Sequence, residues 1–192
     1  ASRLVEEYGA GLRGMDVLFE GEIPDSAGLS SSSALVVASA LSLLAANGLE
    51  YKQIELAEMM AEGERYVGTQ GGGMDQAVCL LGKEGKAVRL DFFPLRHSYA
   101  DFPADYSIIA AHSLIRAAKT ENALLLYNRR PMECRLAVAM INSIFEADLP
   151  LKMLGDLPKY GFYEQFTTPM SFLDRAFPRE SYSLGEIAAI TG

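Results

Sequence analysis

The stretch that decides the fold is DSAGLSSSSALVV, residues 25–37, in which four consecutive serines follow Ala-Gly-Leu and lead into an apolar segment. A flexible linker would be flanked by polar sequence on both sides. Here an alternating segment precedes the serines and a strongly apolar one follows them. The stretch therefore predicts a strand, a loop and a helix in succession, with Gly28 permitting a tight turn in the loop.

The two flanking segments support this interpretation. Residues 15–24, MDVLFEGEIP, carry apolar side chains at even spacing, which is typical of a strand. Residues 34–46 are apolar almost all round, too long for a strand and too short for a membrane span, and predict a buried helix. Asn47 and Gly48 follow as its C-terminal stop.

The serines themselves, Ser30 to Ser33, would bring hydroxyls and free N–H groups to the N-terminus of that helix. Free N–H groups and the aligned helix dipole favour an anion at this position. A simpler alternative is that one serine caps the helix. One serine suffices for a cap, so four of them favour a phosphate site. The chain has no GxxxxGK[ST] motif, so the loop is not a P-loop.

The rest of the chain shows helix and strand patterns in mixed order, which favours an α+β fold over a regular alternation. The predicted elements are a helix over 51–67, a short helix over MDQAVCLLG closed by Gly82, strands over KAVRLDFF (86–93) and YSIIAAHS (106–113), and a helix beginning near Pro131.

Composition excludes several classes of protein. Hydrophobic residues make up 49% of the 192, enough for a sizeable core and too many for a disordered chain. The net charge is −8 and no Lys/Arg cluster stands out, which argues against nucleic acid and anionic membranes as partners. No apolar run is long enough to cross a bilayer, and no signal peptide is visible. We therefore expect a cytoplasmic protein.

The cysteines and histidines offer little chemistry. Cys79 and Cys134 are not in CxxC pairs, which argues against a structural zinc site. The alternative of a single disulfide stays open, but two separated cysteines amid apolar neighbours favour two buried thiols. His97 and His112 are too isolated to indicate catalysis or a metal. Both chain ends have helical patterns, and we expect the sequence to be a piece of a longer protein.

Two carboxylates, Glu64 and Asp75, flank a glycine-rich turn that contains Gly71, Gly72 and Gly73 in succession. Phosphoryl transfer needs one carboxylate to hold Mg²⁺ and usually another to orient or deprotonate the nucleophile. The alternative is that Glu64 is a solvated helix residue and Asp75 the N-cap of the next helix. Taken singly, each residue favours that alternative.

Three blocks of sequence, in order, resemble the GHMP kinases, the superfamily of galactokinase and of homoserine, mevalonate and phosphomevalonate kinases. GLSSSSALVV (28–37) resembles their phosphate-binding motif. ERYVGTQGGGMDQ (64–76) and YNRRPMECRLA (127–137) resemble two blocks of the galactokinase branch. The sequences of these blocks are most similar to those of the N-acetylgalactosamine kinases, with ordinary galactokinases next.

The resemblance implies a role for each site residue. Asp75 would position or deprotonate the C1 hydroxyl of a sugar, and Ser32 and Glu64 would hold Mg²⁺. The backbone at Gly72 and Gly73, together with Asp75 and Tyr127, would border the sugar. The loop implied to wrap the ATP phosphates consists of Gly28, Leu29, Ser30, Ser31, Ser32 and Ser33.

The resemblance also implies a two-domain α+β fold that is incomplete at both ends here. Residues 1–104 would form part of the N-terminal, ATP-binding domain, which resembles ribosomal protein S5 domain 2. Residues 105–192 would begin a ferredoxin-like C-terminal domain. The N-terminal segment that reads the sugar hydroxyls and a later glycine-rich motif are both missing from this sequence.

The implied function is an ATP- and Mg²⁺-dependent sugar 1-kinase that phosphorylates the anomeric hydroxyl of galactose or N-acetylgalactosamine. Its partners would be the sugar and ATP, with the oligomeric state left open. One alternative is a non-catalytic sugar and nucleotide sensor on the same fold, and another is an inactive fragment. A mevalonate or homoserine kinase is disfavoured by the MDQ and YNRR…EC blocks.

Overall fold

The computed structural model describes residues 1–24, 27–111, 113, 122–145, 151–158 and 168–192. It is a mixed helix and strand structure, as predicted. The chain forms two compact units, Ala1–Tyr127 and Asn128–Gly192. The boundary predicted at 104/105 concerns the domains of the complete protein and stays a prediction.

The first unit contains four complete α-helices, the first residues of a fifth and one hairpin among its described residues. Three of the helices were predicted: the buried helix after the serines, the helix over 51–67 and the short helix closed by Gly82. The elements are α1 (Ser2–Tyr8), α2 (Ser31–Ala46), α3 (Gln53–Glu64), a 3₁₀ turn (Arg65–Val67), α4 (Met74–Leu81), β1 (Lys86–Asp91) and β2 (Arg96–Asp101).

Helix α2 starts at Ser31, three residues before the predicted start, and ends where predicted. Gly48 adopts φ +63° and donates its N–H to the Ala45 carbonyl, while the Asn47 amide bonds the Leu43 carbonyl. Only one stripe of α2 is buried, although its sequence is apolar all round, because its other faces line open cavities. The buried stripe consists of Ser33, Val37, Ala40 and Leu44.

The core of the first unit lies where α2, α3 and α4 meet, and Leu44, Leu56 and Ala77 are among its fully enclosed members. Apolar side chains at helical spacing on all three helices supply it, which is why these elements pack on one another. Helix α1 adds Leu4 to the core and is tied to α3 by the Arg3–Glu62 ion pair at 3.0 Å.

The strand predictions are only partly correct. Residues 86–91 form β1, which pairs with β2 in an antiparallel hairpin, with Lys86 opposite Asp101. Residues 15–24 do not form a strand, and neither do residues 106–111 or residue 113. His112, the remaining residue of the second predicted strand, lies outside the described residues. A strand needs a neighbouring strand with which to form hydrogen bonds. Among the described residues, no strand lies beside either of these two segments. Their apolar side chains are accordingly exposed, Leu18 by 94% and Ile109 by 88%.

The second unit is helical over its described residues. Its core joins Ile141 and Leu151 to Phe172, and the Asn142 amide exchanges two hydrogen bonds with the Leu151 backbone at 2.9 and 2.7 Å. Its elements are the greater part of α5 (Asn122–Phe145), a 3₁₀ turn (Leu154–Asp156), α6 (Pro169–Ala176) and α7 (Leu184–Thr191). None of the helices in the described part of the chain is long and apolar enough for a membrane span.

The prediction that a helix begins near Pro131 is wrong. Helix α5 begins at Asn122, and Pro131 lies inside it. Proline inside a helix removes one backbone hydrogen bond and costs about 3 kcal/mol. Beyond Pro131 the helix is stabilised by packing, since Val138 and Ile141 lie in the core of the second unit.

Substituting the centre of the first core tests this packing. Leu44→Ala is expected to lower the free energy of unfolding by about 2–5 kcal/mol, because Leu44 is 0% exposed and its removal leaves a cavity. The matched control on the same helix is Leu35→Ala. Since Leu35 is 49% exposed, its loss should stay below about 1 kcal/mol in the same denaturant titration. Equal losses would contradict the assignment of the buried face of α2.

Candidate active site

The serine loop turns sharply into α2, as its sequence predicts. Gly28 adopts φ +76°, a left-handed conformation that favours glycine. Ser30 is also left-handed, with φ 57°, and occupies the N-cap position of α2. The N–H groups of the first helical turn, from Ser31 onward, therefore lie at the end of the loop. Asp25 and Ser26, which open the quoted stretch, lie outside the described residues.

Ser30 does not cap the helix with its side chain. Its hydroxyl donates instead to Asp75 Oδ2 at 2.6 Å, across 45 residues of sequence. Asp75 lies in the first turn of α4 and is half-buried. The contact brings the serine loop against the carboxylate that the sequence singled out as the catalytic candidate.

Ser33 makes the second link between the loop and the acidic residues. Its hydroxyl donates to Glu64 Oε1 at 2.8 Å, and it accepts a hydrogen bond from Gln76 Nε2 at 3.2 Å. All three side chains are buried, so Glu64 is not the solvated helix residue of the simpler interpretation. The Ser33 hydroxyl is directed into the protein, and a phosphate contact of this residue would use its backbone N–H.

The glycine turn between the two carboxylates is tightly constrained at Gly73. This residue has φ +87°, and a Cβ added there would lie 3.0 Å from Ala61 Cβ. Gly73 is the N-cap of α4, so its conformation sets where the first turn of that helix, and with it Asp75, begins. Gly72 is exposed, with open space around it.

Tyr127, the predicted sugar-binding tyrosine, lies close to Gly71. A methyl group at Gly71 would lie 3.9 Å from Glu64 Oε2 and 3.9 Å from the Tyr127 hydroxyl oxygen. Tyr127 therefore shares one side of the glycine turn with the second oxygen of Glu64. The structure thus brings Tyr127 to the same part of the unit as the two carboxylates.

The outer serines of the loop face a cavity. A space of about 480 Å³ lies beside the first turns of α2, with Ser31 and Ser32 on one wall and apolar side chains such as Phe19 and Ile23 on the other. Leu29 is half exposed. A concave apolar wall with a few hydroxyls is typical of a small-molecule site.

The oxygen-rich chemistry of the site suits Mg²⁺, a hard cation that prefers oxygen ligands. Among the described residues no group of three or more His, Cys, Asp and Glu side chains could hold a metal alone. Mg²⁺ in phosphoryl-transfer enzymes is usually held by one or two carboxylates plus the substrate phosphates. Glu64 with a loop serine fits that smaller requirement.

The predicted roles of Ser32 and Glu64 as metal ligands stay predictions. Among the described residues Ser33 is the loop serine that bonds Glu64, while Ser32 is exposed on the cavity wall. Gln76 is a further site residue that was not predicted. Its signal was a polar residue on the buried face of an apolar helix, between Gly73 and Ala77.

The predicted burial of the two cysteines is wrong, because Cys79 and Cys134 are both exposed. Cys79 lies on α4, one turn beyond Asp75 and away from the stripe that enters the core. Partial burial of its sulfur raises the pKa of the Cys79 thiol, and the nearby negative charges of Asp75 and Glu64 raise it further. A raised pKa keeps the thiol protonated and unreactive.

Comparison with known proteins gives a consistent result. Residues 1–83 match the family described as GHMP kinases N terminal domain. A galactokinase of Dictyostelium discoideum is 31% identical over 188 residues, which is 96% of this chain and 37% of that protein. A galactokinase of Schizosaccharomyces pombe is 35% identical over 72% of this chain and 28% of its own length.

A galactokinase of Candida parapsilosis is 37% identical over 141 residues, again 28% of that protein. The chain spans about a third of the length of the curated relatives it matches. The matched region includes the serine loop, both carboxylates and the glycine turn, which the family model covers within residues 1–83. Residues 1–83 therefore belong to the GHMP kinase N-terminal domain family, and the chain is similar to galactokinases.

Proposed function

We propose that the protein to which this chain belongs is a galactokinase-type sugar kinase, which transfers the γ-phosphoryl group of ATP to the anomeric hydroxyl of galactose or N-acetylgalactosamine. The observation that carries the proposal is the 2.6 Å hydrogen bond between Ser30 and Asp75. It joins a loop suited to phosphates to a carboxylate suited to a base, and a kinase needs the two within reach of one another.

The nucleotide would lie along the serine loop. Its phosphates would accept hydrogen bonds from the N–H groups at the start of α2, where the helix dipole favours negative charge. The residues proposed to contact them are Gly28, Leu29, Ser30, Ser31, Ser32 and Ser33. The cavity beside Ser31 and Ser32 has apolar walls and a volume that suits the nucleoside.

Asp75 would orient the sugar hydroxyl and take its proton as the phosphoryl group is transferred. A positioned base of this kind contributes about 10²–10⁴-fold to a rate. Gly72, Gly73 and Tyr127 would border the sugar, since the glycine turn leaves open backbone beside Asp75 and Tyr127 lies against Gly71. Holding both reactants in place would supply much of the remaining acceleration.

Glu64 and a loop serine, Ser32 in the sequence-based assignment, would hold Mg²⁺. When bound, the ion would neutralise charge on the phosphates of ATP. Glu64 suits this role because Oε1 is engaged with Ser33, while Oε2 lies beside Gly71.

The domain assignment is part of the same proposal. Residues 1–104 would belong to an N-terminal domain that resembles ribosomal protein S5 domain 2, and residues 105–192 would begin a ferredoxin-like domain. The match of residues 1–83 to the GHMP N-terminal domain supports the first half of this assignment.

A coupled assay of ADP release by the full-length protein tests the function. We expect MgATP turnover with galactose or N-acetylgalactosamine, and none with glucose or mevalonate, because a site built for one hydroxyl arrangement leaves polar groups unpaired with another. Measurable ATP binding without turnover on any of the four would favour the non-catalytic sensor. Turnover with mevalonate alone would place the protein in another branch of the family.

A further inference from the structure

A buried chain of three polar side chains, Gln76, Ser33 and Glu64, connects α4, α2 and α3 beneath the serine loop. We propose that Ser33 and Gln76 are positioning residues: they hold Glu64 so that its second oxygen, Oε2, faces the glycine turn and can bind the metal of a metal–nucleotide complex. This inference rests on the proposed function, because it gives Glu64 the metal-binding role assigned there.

The order of donors in the chain follows from elementary chemistry. An ionised carboxylate only accepts hydrogen bonds, so the Ser33 proton must point to Glu64 Oε1, 2.8 Å away. The Ser33 oxygen then has lone pairs to offer, and Gln76 fills one of them with an N–H at 3.2 Å. If the Gln76 amide were reversed, its Oε1 would face the Ser33 oxygen, and neither atom would have a proton to donate to the other. The whole chain is therefore directed towards the carboxylate.

Burial shows that packing alone does not account for these side chains. Ser33 is 1% exposed and Gln76 is 2% exposed. Gln76 Oε1 is buried and receives no hydrogen bond from the described residues. Such an unpaired acceptor is costly, and an apolar side chain would fill the place without it. The amide is explained by what its N–H does for Ser33 and, through Ser33, for Glu64.

The row of hydrogen bonds from Gln76 through Ser33 determines which oxygen of Glu64 stays available to a metal. Oε1 receives the Ser33 proton, while Oε2 lies beside Gly71, where a methyl group would be 3.9 Å from it and equally far from the Tyr127 hydroxyl. Partners that orient a ligating carboxylate in this way typically change metal affinity by about 10–100-fold when they are removed. Ser33 and Gln76 should therefore affect metal binding without touching the metal.

The test uses the full-length protein with Mn²⁺ as the probe, which is followed by electron paramagnetic resonance at saturating ADP. Ser33→Ala and Gln76→Met are each expected to weaken Mn²⁺ binding by about 10–100-fold, while affinity for ADP in EDTA changes by less than about threefold. A merely structural role would not separate the two affinities. The matched control is Ser39→Ala, on the same helix, whose hydroxyl bonds the Leu35 carbonyl at 2.7 Å. It should change neither affinity.

Glu64→Gln separates failure of the inference from failure of the proposed function. If Glu64→Gln leaves Mn²⁺ affinity intact, Glu64 is not a metal ligand and its proposed role is wrong. If it weakens Mn²⁺ binding while Ser33→Ala and Gln76→Met do not, only the positioning inference is overturned.

A double variant makes the test of Ser33 sharper. Because Ser33 is proposed to act through Glu64, Ser33→Ala added to Glu64→Gln should cause no further loss of Mn²⁺ affinity. An additional loss of full size would mean that the Ser33 hydroxyl itself contacts the metal or the phosphates, and would overturn the inference. Circular dichroism checks folding, and Gln76→Met, which keeps the side-chain volume, decides the matter if Ser33→Ala does not fold.

Discussion

Replacing the carboxylate of Asp75 by an amide is expected to remove most of the turnover while leaving nucleotide affinity within about threefold. The amide oxygen that Asp75→Asn introduces would still accept the Ser30 hydrogen bond, so the 2.6 Å contact that holds the loop and α4 together is retained. What is lost is the ability to take a proton, and we expect kcat to fall by about 10²–10⁴-fold. The measurement is ADP release by the full-length protein, with ATP affinity determined by calorimetry.

The matched control for this prediction is Asp105→Asn, which makes the same chemical change at an exposed position outside the site. It should retain full activity. A parallel collapse of ATP affinity in Asp75→Asn would instead show that the carboxylate supports the loop or binds the metal.

The second large effect is expected at Gly73. Gly73→Ala must place a side chain at φ +87°, which costs about 1–2 kcal/mol for a residue other than glycine. The new methyl group would also lie 3.0 Å from Ala61 Cβ, and filling an occupied space costs about 1–3 kcal/mol. We expect a loss of unfolding free energy of that combined order, measured by denaturant titration. Turnover should fall as well, because Gly73 sets where the turn that carries Asp75 begins.

The neighbouring glycine supplies the stability control. Gly72 is not left-handed, and no atom lies within 4 Å of the place its Cβ would occupy. Gly72→Ala should therefore leave the free energy of unfolding within about 0.5 kcal/mol of its original value. Similar losses from the two substitutions would mean that backbone conformation and the Ala61 contact do not govern this turn.

Local signals in the sequence predict the helices around the site well. The all-apolar run before Asn47-Gly48 predicts α2, and Gly82 correctly predicts the end of α4. These elements form their hydrogen bonds within themselves, so a short window contains the information that specifies them. Gly28 could likewise be assigned to a turn from its neighbours alone.

The strand predictions failed where the missing information is not local. Residues 15–24 have the alternation of a strand, but a strand is completed by a neighbour that the pattern cannot name. The same limit applies to the site. The serine run indicated an anion site, but which hydroxyl would reach Asp75 or Glu64 depends on how α2 packs on α3 and α4. Ser30 and Ser33 make those contacts, and the metal-binding role of Ser32 stays a prediction.

Because the Ser30 side chain points to Asp75, the N-terminus of α2 has no side-chain cap. A serine at this position usually satisfies a backbone N–H of the helix, which contributes about 1 kcal/mol to stability. The Ser30 hydroxyl bonds Asp75 instead, so it does not accept a hydrogen bond from the first N–H groups of α2, and these groups can bond another acceptor. A bound phosphate would serve as that acceptor, which makes the ligand part of the folded helix. Part of its binding free energy would then appear as resistance of the protein to unfolding.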